Sequence, residues 1–262
     1  MGSLQLAKHD VFIVDAGDPH QTFAIKRKAL NRFDAHMLGL GELTRRSVAV
    51  EAACAIFDPE GFTDFCKQVD PHLAVPDFMS RFLEWLFAEV KRNSVGEEIG
   101  GANVLYTRLP FFAKFMGDGV MFLWDTTEIA TERGVFNLVS ITRSICDEYS
   151  ATFYPQARRM VVNPPRVLRC GLARGRVYSV GDGSDYVGPC INIAARLQKL
   201  VPGVRCCVSR RGFDATRHTV TNVSDALVVK KIAIRGIGED GLVYLWRDQF
   251  EALDDVSSLH DP

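Results

Sequence analysis

The 262-residue sequence has no uninterrupted apolar run near the ~20 residues that cross a bilayer as a helix. Its first residues, MGSLQLAKHD, hold no apolar segment of the secretory type, and Leu6 breaks the myristoylation pattern. Charge of one sign is also missing. Thirty-one basic residues stand against 32 acidic ones, a net charge of −1, so the total shows no polyanion-binding footprint. The seven cysteines (Cys54, Cys66, Cys146, Cys170, Cys190, Cys206 and Cys207) contain no C-x-x-C. Such an odd, scattered set points to reduced thiols rather than a disulfide frame or a zinc site. None of the six histidines pairs with another at ligand spacing. These absences lead to the expectation of a cytoplasmic protein with neither membrane nor nucleic acid as partner. What the chain does have is apolar material, 47% hydrophobic against 24% charged. That is ordinary for a globular protein and excludes a disordered or fibrous one.

No internal repeat or low-complexity tract is visible. Residues 1–47 read as an N-terminal helical extension, with a basic helical stretch over 24–40 stopped by Gly39 and Gly41. From Val48 the run VAVEAACAIF reads as a buried strand, closed by Asp58-Pro59-Glu60-Gly61. After Pro71, the spacing of Val75, Phe78, Met79, Phe82, Leu86 and Val90 predicts a helix, with Pro76 in its first turn. A polar, Gly-rich link over 93–103 precedes a strand reaching Phe115. Met116-Gly117-Asp118-Gly119 then signals a hairpin, with VMFLW as the returning strand. An amphipathic helix follows over 128–150. After it come a strand over 166–172, a Gly-rich turn and a helix over 189–200. Two strands close the pattern, with Asp240-Gly241 as their turn. Residues 48–250 thus read as one α/β or α+β layered domain, and 251–262 as a C-terminal tail.

Two acids stand where strands end in turns, Asp58 after the first strand and Asp118 at the hairpin tip. Either alone would be an ordinary turn former. Two carboxylates at adjacent strand ends suit a hard cation held beside a phosphate. The residues after Asp58 turn into helical pattern, which offers free backbone N–H groups to a triphosphate. Asn192 and Arg196 share one helix face at i, i+4 spacing, and a guanidinium beside an amide suits a phosphoryl group gaining charge. The same two residues also fit a merely solvated face. Arg169 and Arg235 are isolated cations inside apolar strands, and each asks for an anionic partner.

The segments FDPEGFT (57–63), KFMGDGVMF (114–122), RCGLARG (169–175), SDYVGPCINIAARL (184–197) and IRGIGEDGLVYL (234–245) resemble, in order and spacing, a class III nucleotidyl cyclase catalytic domain. The resemblance spans about Val48 to Trp246. It implies a ferredoxin-like palm fold, an antiparallel-containing sheet with flanking helices, working as a head-to-tail homodimer. It further implies that Asp58, Asp118 and the Pro59 carbonyl hold two divalent cations, Mn²⁺ or Mg²⁺. Phe62 and Thr63 would lie in the phosphate-binding turn, and Lys114 and Asp185 would read the base. Asn192 would orient the ribose, Arg196 would stabilise the transition state, and Arg169 and Arg235 would hold the triphosphate. The implied reaction converts a nucleoside triphosphate to a 3′,5′-cyclic nucleotide and pyrophosphate.

Lys114 and Asp185 offer one donor and one acceptor, which adenine, cytosine and uracil can each satisfy. More narrowly, LPFFAKFMGDGVMFLW, the PDFMSRFLEWLF helix and the N-terminal extension resemble the bacterial pyrimidine cyclases of the Pycsar antiphage system. That likeness implies UTP as substrate, cyclic UMP as product and a separate effector protein that senses it. Cytidylate cyclase, adenylate cyclase and a catalytically silent nucleotide-binding dimerisation module are the alternatives.

Overall fold

Alternation along the strands decides which residues meet the core and which meet the site. The computed structural model describes residues 11–13, 23–25, 27–31, 38–43, 46–68, 70–99, 102–127, 132–213, 225–234 and 238–262. In chain order its first elements are β1 (Val11–Ile13), β2 (Phe23–Ile25), α1 (Arg27–Leu30), β3 (Ala49–Pro59), α2 (Phe62–Phe65) and α3 (Pro71–Ser94). Then come β4 (Val95–Ile99), β5 (Ala102–Leu105), β6 (Phe112–Phe115), β7 (Val120–Asp125) and α4 (Glu132–Glu148). A π-helical turn (Tyr149–Phe153) leads into α5 (Tyr154–Ala157), followed by β8 (Leu168–Val180), β9 (Asp185–Val187) and α6 (Pro189–Leu197). The chain closes with β10 (Cys206–Ser209), β11 (Leu227–Ile234), β12 (Gly238–Trp246) and α7 (Arg247–Glu251).

The chain divides into two compact units, residues 1–49 with 178–187, and residues 50–177 with 188–262. In the first unit β1 and β2 pair antiparallel, and the last three residues of β8 pair antiparallel with β9. There the Ser179 hydroxyl accepts from the Val48 N–H at 2.8 Å, and its carbonyl accepts from the Ser47 hydroxyl at 2.8 Å. The second unit is built on a sheet of order β11-β12-β10-β8-β3-β7-β6. Its β11/β12, β12/β10, β3/β7 and β7/β6 pairs are antiparallel and its β10/β8 pair is parallel. This is the mixed α/β, antiparallel-containing sheet with flanking helices that the motifs imply.

The period of two sorts the strand residues. Ala53, Ala55 and Phe57 of β3, Phe122 and Trp124 of β7, and Leu168, Cys170 and Leu172 of β8 face one core cluster. That cluster also takes Phe78, Phe82, Leu86 and Val90 of α3 and Leu138, Ile145, Tyr149 and Phe153 of the later helix. The rings of Phe78, Phe82, Trp85, Tyr149 and Phe153 pack at centroid separations of 5.2–6.4 Å where they touch. The intervening residues, among them Cys54, Asp58, Arg169 and Gly171, face the other side of the sheet. There α6 packs through Cys190, Ile193, Ala194 and Leu197. No described helix is long and apolar enough to cross a membrane.

Several local expectations need correction. Among the described residues, the helix expected over 24–40 is α1 alone, and Ala24 and Ile25 belong to a strand; residues 32–37 lie outside the described residues. Pro76 sits inside α3 rather than in its first turn. Pro71 takes the first helical position, where its missing N–H costs nothing. The polar link over 93–103 takes in the end of α3 and the antiparallel pair β4 and β5, in which Ile99 stands opposite Ala102; residues 100 and 101 lie outside the described residues. Asp240 and Gly241 lie within β12, because Gly241 is paired with Ile232; the β11–β12 connection, 235–237, lies outside the described residues. The strand expected over 166–172 runs on to Val180, and Cys206–Ser209 adds a strand that the sequence pattern did not reveal.

Candidate active site

Asp58 is the penultimate residue of β3 and 2% exposed. A carboxylate that buried needs charged partners, and it has two. Arg169 of β8 donates from Nη2 to Oδ2 at 2.6 Å, and the Lys199 Nζ lies 3.4 Å from Oδ1. Arg169 also reaches Glu60 Oε1 from Nη1 at 3.2 Å. Asp58 and Arg169 meet because both occupy odd steps relative to the core-facing residues of neighbouring strands. The sequence expectation that Arg169 needs an anionic partner is met within its own chain.

The hairpin expected at 116–119 is formed, with the Met116 N–H donating to the Gly119 carbonyl at 2.8 Å. Register pairs Phe57 with Val120 and Phe115 with Val120, so the hairpin tip lies beside the end of β3. Gly119 is required there. A Cβ would sit 2.4 Å from the Phe57 carbonyl oxygen and 3.6 Å from the Asp58 Cα. The half-buried Asp118 immediately precedes it, which brings the second acid to the same end of the sheet. Lys114 lies on β6, exposed, four residues before Asp118.

Beyond Asp58, the buried Pro59 ends β3, and Phe62 opens the four-residue α2. The Phe62 ring is packed against Phe65 and Phe78, which leaves its backbone as the part open to a ligand. Thr63 is exposed. The first-turn N–H groups of Phe62 and Thr63 have no intrahelical partner, as at any helix start. A cavity of about 500 Å³ opens beside this turn, lined by Glu60, Gly61, Asp64, Gln68, Asn163 and Arg166 among others.

α6 carries Asn192, exposed, and Arg196, half-buried. The helix lies close on β8. A Cβ on Gly171 would stand 2.1 Å from the Ala194 carbonyl oxygen and 2.7 Å from the Gln198 nitrogen. Cys54 of β3 and Cys190 of α6 meet beneath it; burial, then the neighbouring Cys190, raises the Cys54 thiol, and burial pushes Cys190 up to about 11. Both stay protonated and inert near neutrality. Asp185 belongs to the other unit, on β9, where its Oδ1 accepts from the Tyr186 N–H at 2.8 Å. Arg235 lies outside the described residues.

The structure therefore brings Asp58, Glu60, Arg169 and Lys199 into one ion-pair cluster, with Asp118 at the adjacent hairpin tip and Asn192 and Arg196 on the helix of the same face. Sequence reasoning gave no role to the Glu60 carboxylate or to Lys199. Lys199 follows Arg196 by three and Asn192 by seven, so it continues their stripe, and that spacing was its signal. Among the described residues no group of three or more acid, His or Cys side chains gathers at metal-ligand geometry. The donors present are carboxylate oxygens and a strand-end carbonyl, a set that fits Mg²⁺ or Mn²⁺ completed by phosphate oxygens and water.

No family model and no curated protein sequence matches the chain. Solved structures do. The adenylyl cyclase CyaB from P. aeruginosa superposes with a TM-score of 0.57 at 16% identity, covering 82% of this chain and 100% of its own. A bacterial light-regulated adenylyl cyclase gives 0.53 at 18% identity, covering 81% of this chain and 55% of its own. The guanylyl cyclase Cya2 gives 0.52 at 14% identity, covering 83% and 100%. The chain has the fold of class III nucleotidyl cyclase catalytic domains.

Proposed function

We propose that the chain is a nucleotidyl cyclase acting in the cytoplasm as a head-to-tail homodimer, and that it converts UTP to cyclic UMP and pyrophosphate. The observation that carries the cyclase reading is the buried Asp58 at a strand end, beside the Asp118 hairpin tip and on the sheet face that carries α6. Fold alone does not argue for activity; the two acids at one end of the sheet do, and α6 carries the amide and guanidinium that would serve the partner protomer's site.

Two divalent cations held by Asp58, Asp118 and the Pro59 carbonyl would favour the ionised ribose 3′-oxygen and offset triphosphate charge. Attack by that oxygen on the α-phosphorus forms the cyclic ester and breaks the bond to pyrophosphate. Asn192 fixes the ribose so that the oxygen stands in line, and Arg196 meets the charge that grows on the phosphoryl oxygens. Arg169, Arg235 and the backbone at Phe62 and Thr63 hold the triphosphate, and Lys114 and Asp185 read the base edge. Metal-side and Arg-side residues come from opposite protomers, so one dimer contains two sites.

The uridine assignment rests on the likeness of residues 76–87 and 109–124 to the pyrimidine cyclases of the Pycsar system. A separate effector protein would then sense the cyclic nucleotide. Purified protein incubated with ATP, GTP, CTP and UTP in turn, with Mn²⁺, followed by chromatographic separation of products, tests the proposal. Cyclic UMP as the main product supports it. Cyclic AMP or cyclic CMP overturns the base, and no product from any nucleotide overturns the activity.

A further inference from the structure

We propose that Lys199 is a mobile counter-ion of Asp58, which competes with the divalent cation in the nucleotide-free protein and passes to the triphosphate when metal and nucleotide arrive together. This rests on the cyclase reading above. Both oxygens of Asp58 are engaged by cations, Oδ2 by Arg169 and Oδ1 by Lys199, so a metal ion that takes this carboxylate competes with them for its charge. The two cations differ in freedom. The Arg169 side chain is 19% exposed and fixed by two acids, whereas Lys199 is 53% exposed, with an ammonium on a flexible stem. Lys199 is the partner that leaves.

Charge balance gives the direction of coupling. Asp58 and Glu60 are matched by Arg169 and Lys199, so among the described residues the only unmatched carboxylate that a bare divalent ion meets here is Asp118 at the neighbouring hairpin tip. A triphosphate supplies further negative charge and gives the released ammonium a new partner. Metal alone is therefore held weakly, and metal with triphosphate tightly.

The test measures binding, not turnover. Mn²⁺ binding to the purified full chain is followed by electron paramagnetic resonance, and inorganic tripolyphosphate binding at saturating Mn²⁺ by calorimetry. Half-exposed ion pairs set the scale, so Lys199→Met is expected to bind Mn²⁺ about two- to five-fold tighter and tripolyphosphate about two- to five-fold weaker. Lys199→Arg keeps the charge and is expected to restore both values toward wild type. Opposite signs in one variant separate this role from general damage, which weakens both. Unchanged or weakened Mn²⁺ binding in Lys199→Met overturns the proposal. Asp58→Asn serves as the control. If it leaves Mn²⁺ binding intact, the metal is not at Asp58, and the cyclase reading falls with the proposal. Asp58-dependent binding that ignores Lys199 sinks the proposal alone.

Discussion

Replacing Gly171 with alanine is expected to lift α6 from the sheet and with it Asn192 and Arg196. The added Cβ would stand 2.1 Å from the Ala194 carbonyl oxygen, where ordinary contact begins at 3.4 Å, so the helix backbone must retreat by about 1.3 Å. The neighbour is backbone on both sides, at Ala194 and Gln198, and no side chain can turn away to absorb the strain. Overpacking of this kind costs about 1–3 kcal/mol, which lowers the melting temperature of a chain this size by about 2–12 °C. A displacement of about 1 Å at positioning residues costs ~10²-fold in rate. Gly175→Ala is the internal control, because its Cβ would meet only the Cys190 Cβ, at 3.5 Å. The measurements are calorimetric melting and nucleotide-to-cyclic-nucleotide turnover on both variants. A Gly171→Ala protein that melts with the wild type and turns over normally would refute the placement of α6 on β8.

Arg196→Ala is expected to fold and melt as the wild type while losing ~10²–10³ in turnover, because an oriented charge stabiliser is removed; normal turnover in a dimeric preparation removes Arg196 from the chemistry. Tyr149→Phe deletes a buried hydroxyl that donates to the Pro165 carbonyl at 2.7 Å. It should cost about 1–2 kcal/mol in urea unfolding with turnover per folded molecule unchanged. Six of the seven cysteines are buried, and Cys66 is the half-exposed one. A chromogenic thiol reagent should therefore titrate one thiol in the native protein and seven in denaturant. Burial, then the Asp118 charge, raises the Cys66 thiol above its ordinary value. Its thiolate is scarce at neutral pH, so the native reaction should quicken as pH rises through the alkaline range; a second rapid native thiol would contradict the burial pattern.

The elements that position the site were legible where one local rule decided them. VAVEAACAIF is apolar enough to be a strand wherever it packs, and Met116–Gly119 needs only its own turn chemistry to form the hairpin. The α3 stripe works the same way, since Phe78, Phe82, Leu86 and Val90 reach the core. Legibility failed where two rules competed. Asp240-Gly241 is a strong turn signal, but the long register of β11 with β12 carries it into the ladder. The stretch over 93–103 read as a polar link because its glycines and acids hid the short strands β4 and β5.

Partnership in the site was not legible at all, and the reason is geometric. Sequence shows that Arg169 is a cation in an apolar strand, and period two says which face it takes. It does not say which residue of which neighbouring strand stands opposite. That depends on the order β8-β3-β7, which joins segments more than a hundred residues apart, as between Asp58 and Arg169. Once that order is fixed, the rest follows with little freedom. Asp58 must face α6 because Phe57 faces the core, and Arg169 must do the same because Leu168 and Cys170 do. Gly171, two residues on, lets α6 approach closely enough for Lys199, the second residue past its C-terminus, to reach the acid. A single glycine thus links sheet order to the composition of the ion-pair cluster, and the cluster could not persist if α6 stood a side chain farther away.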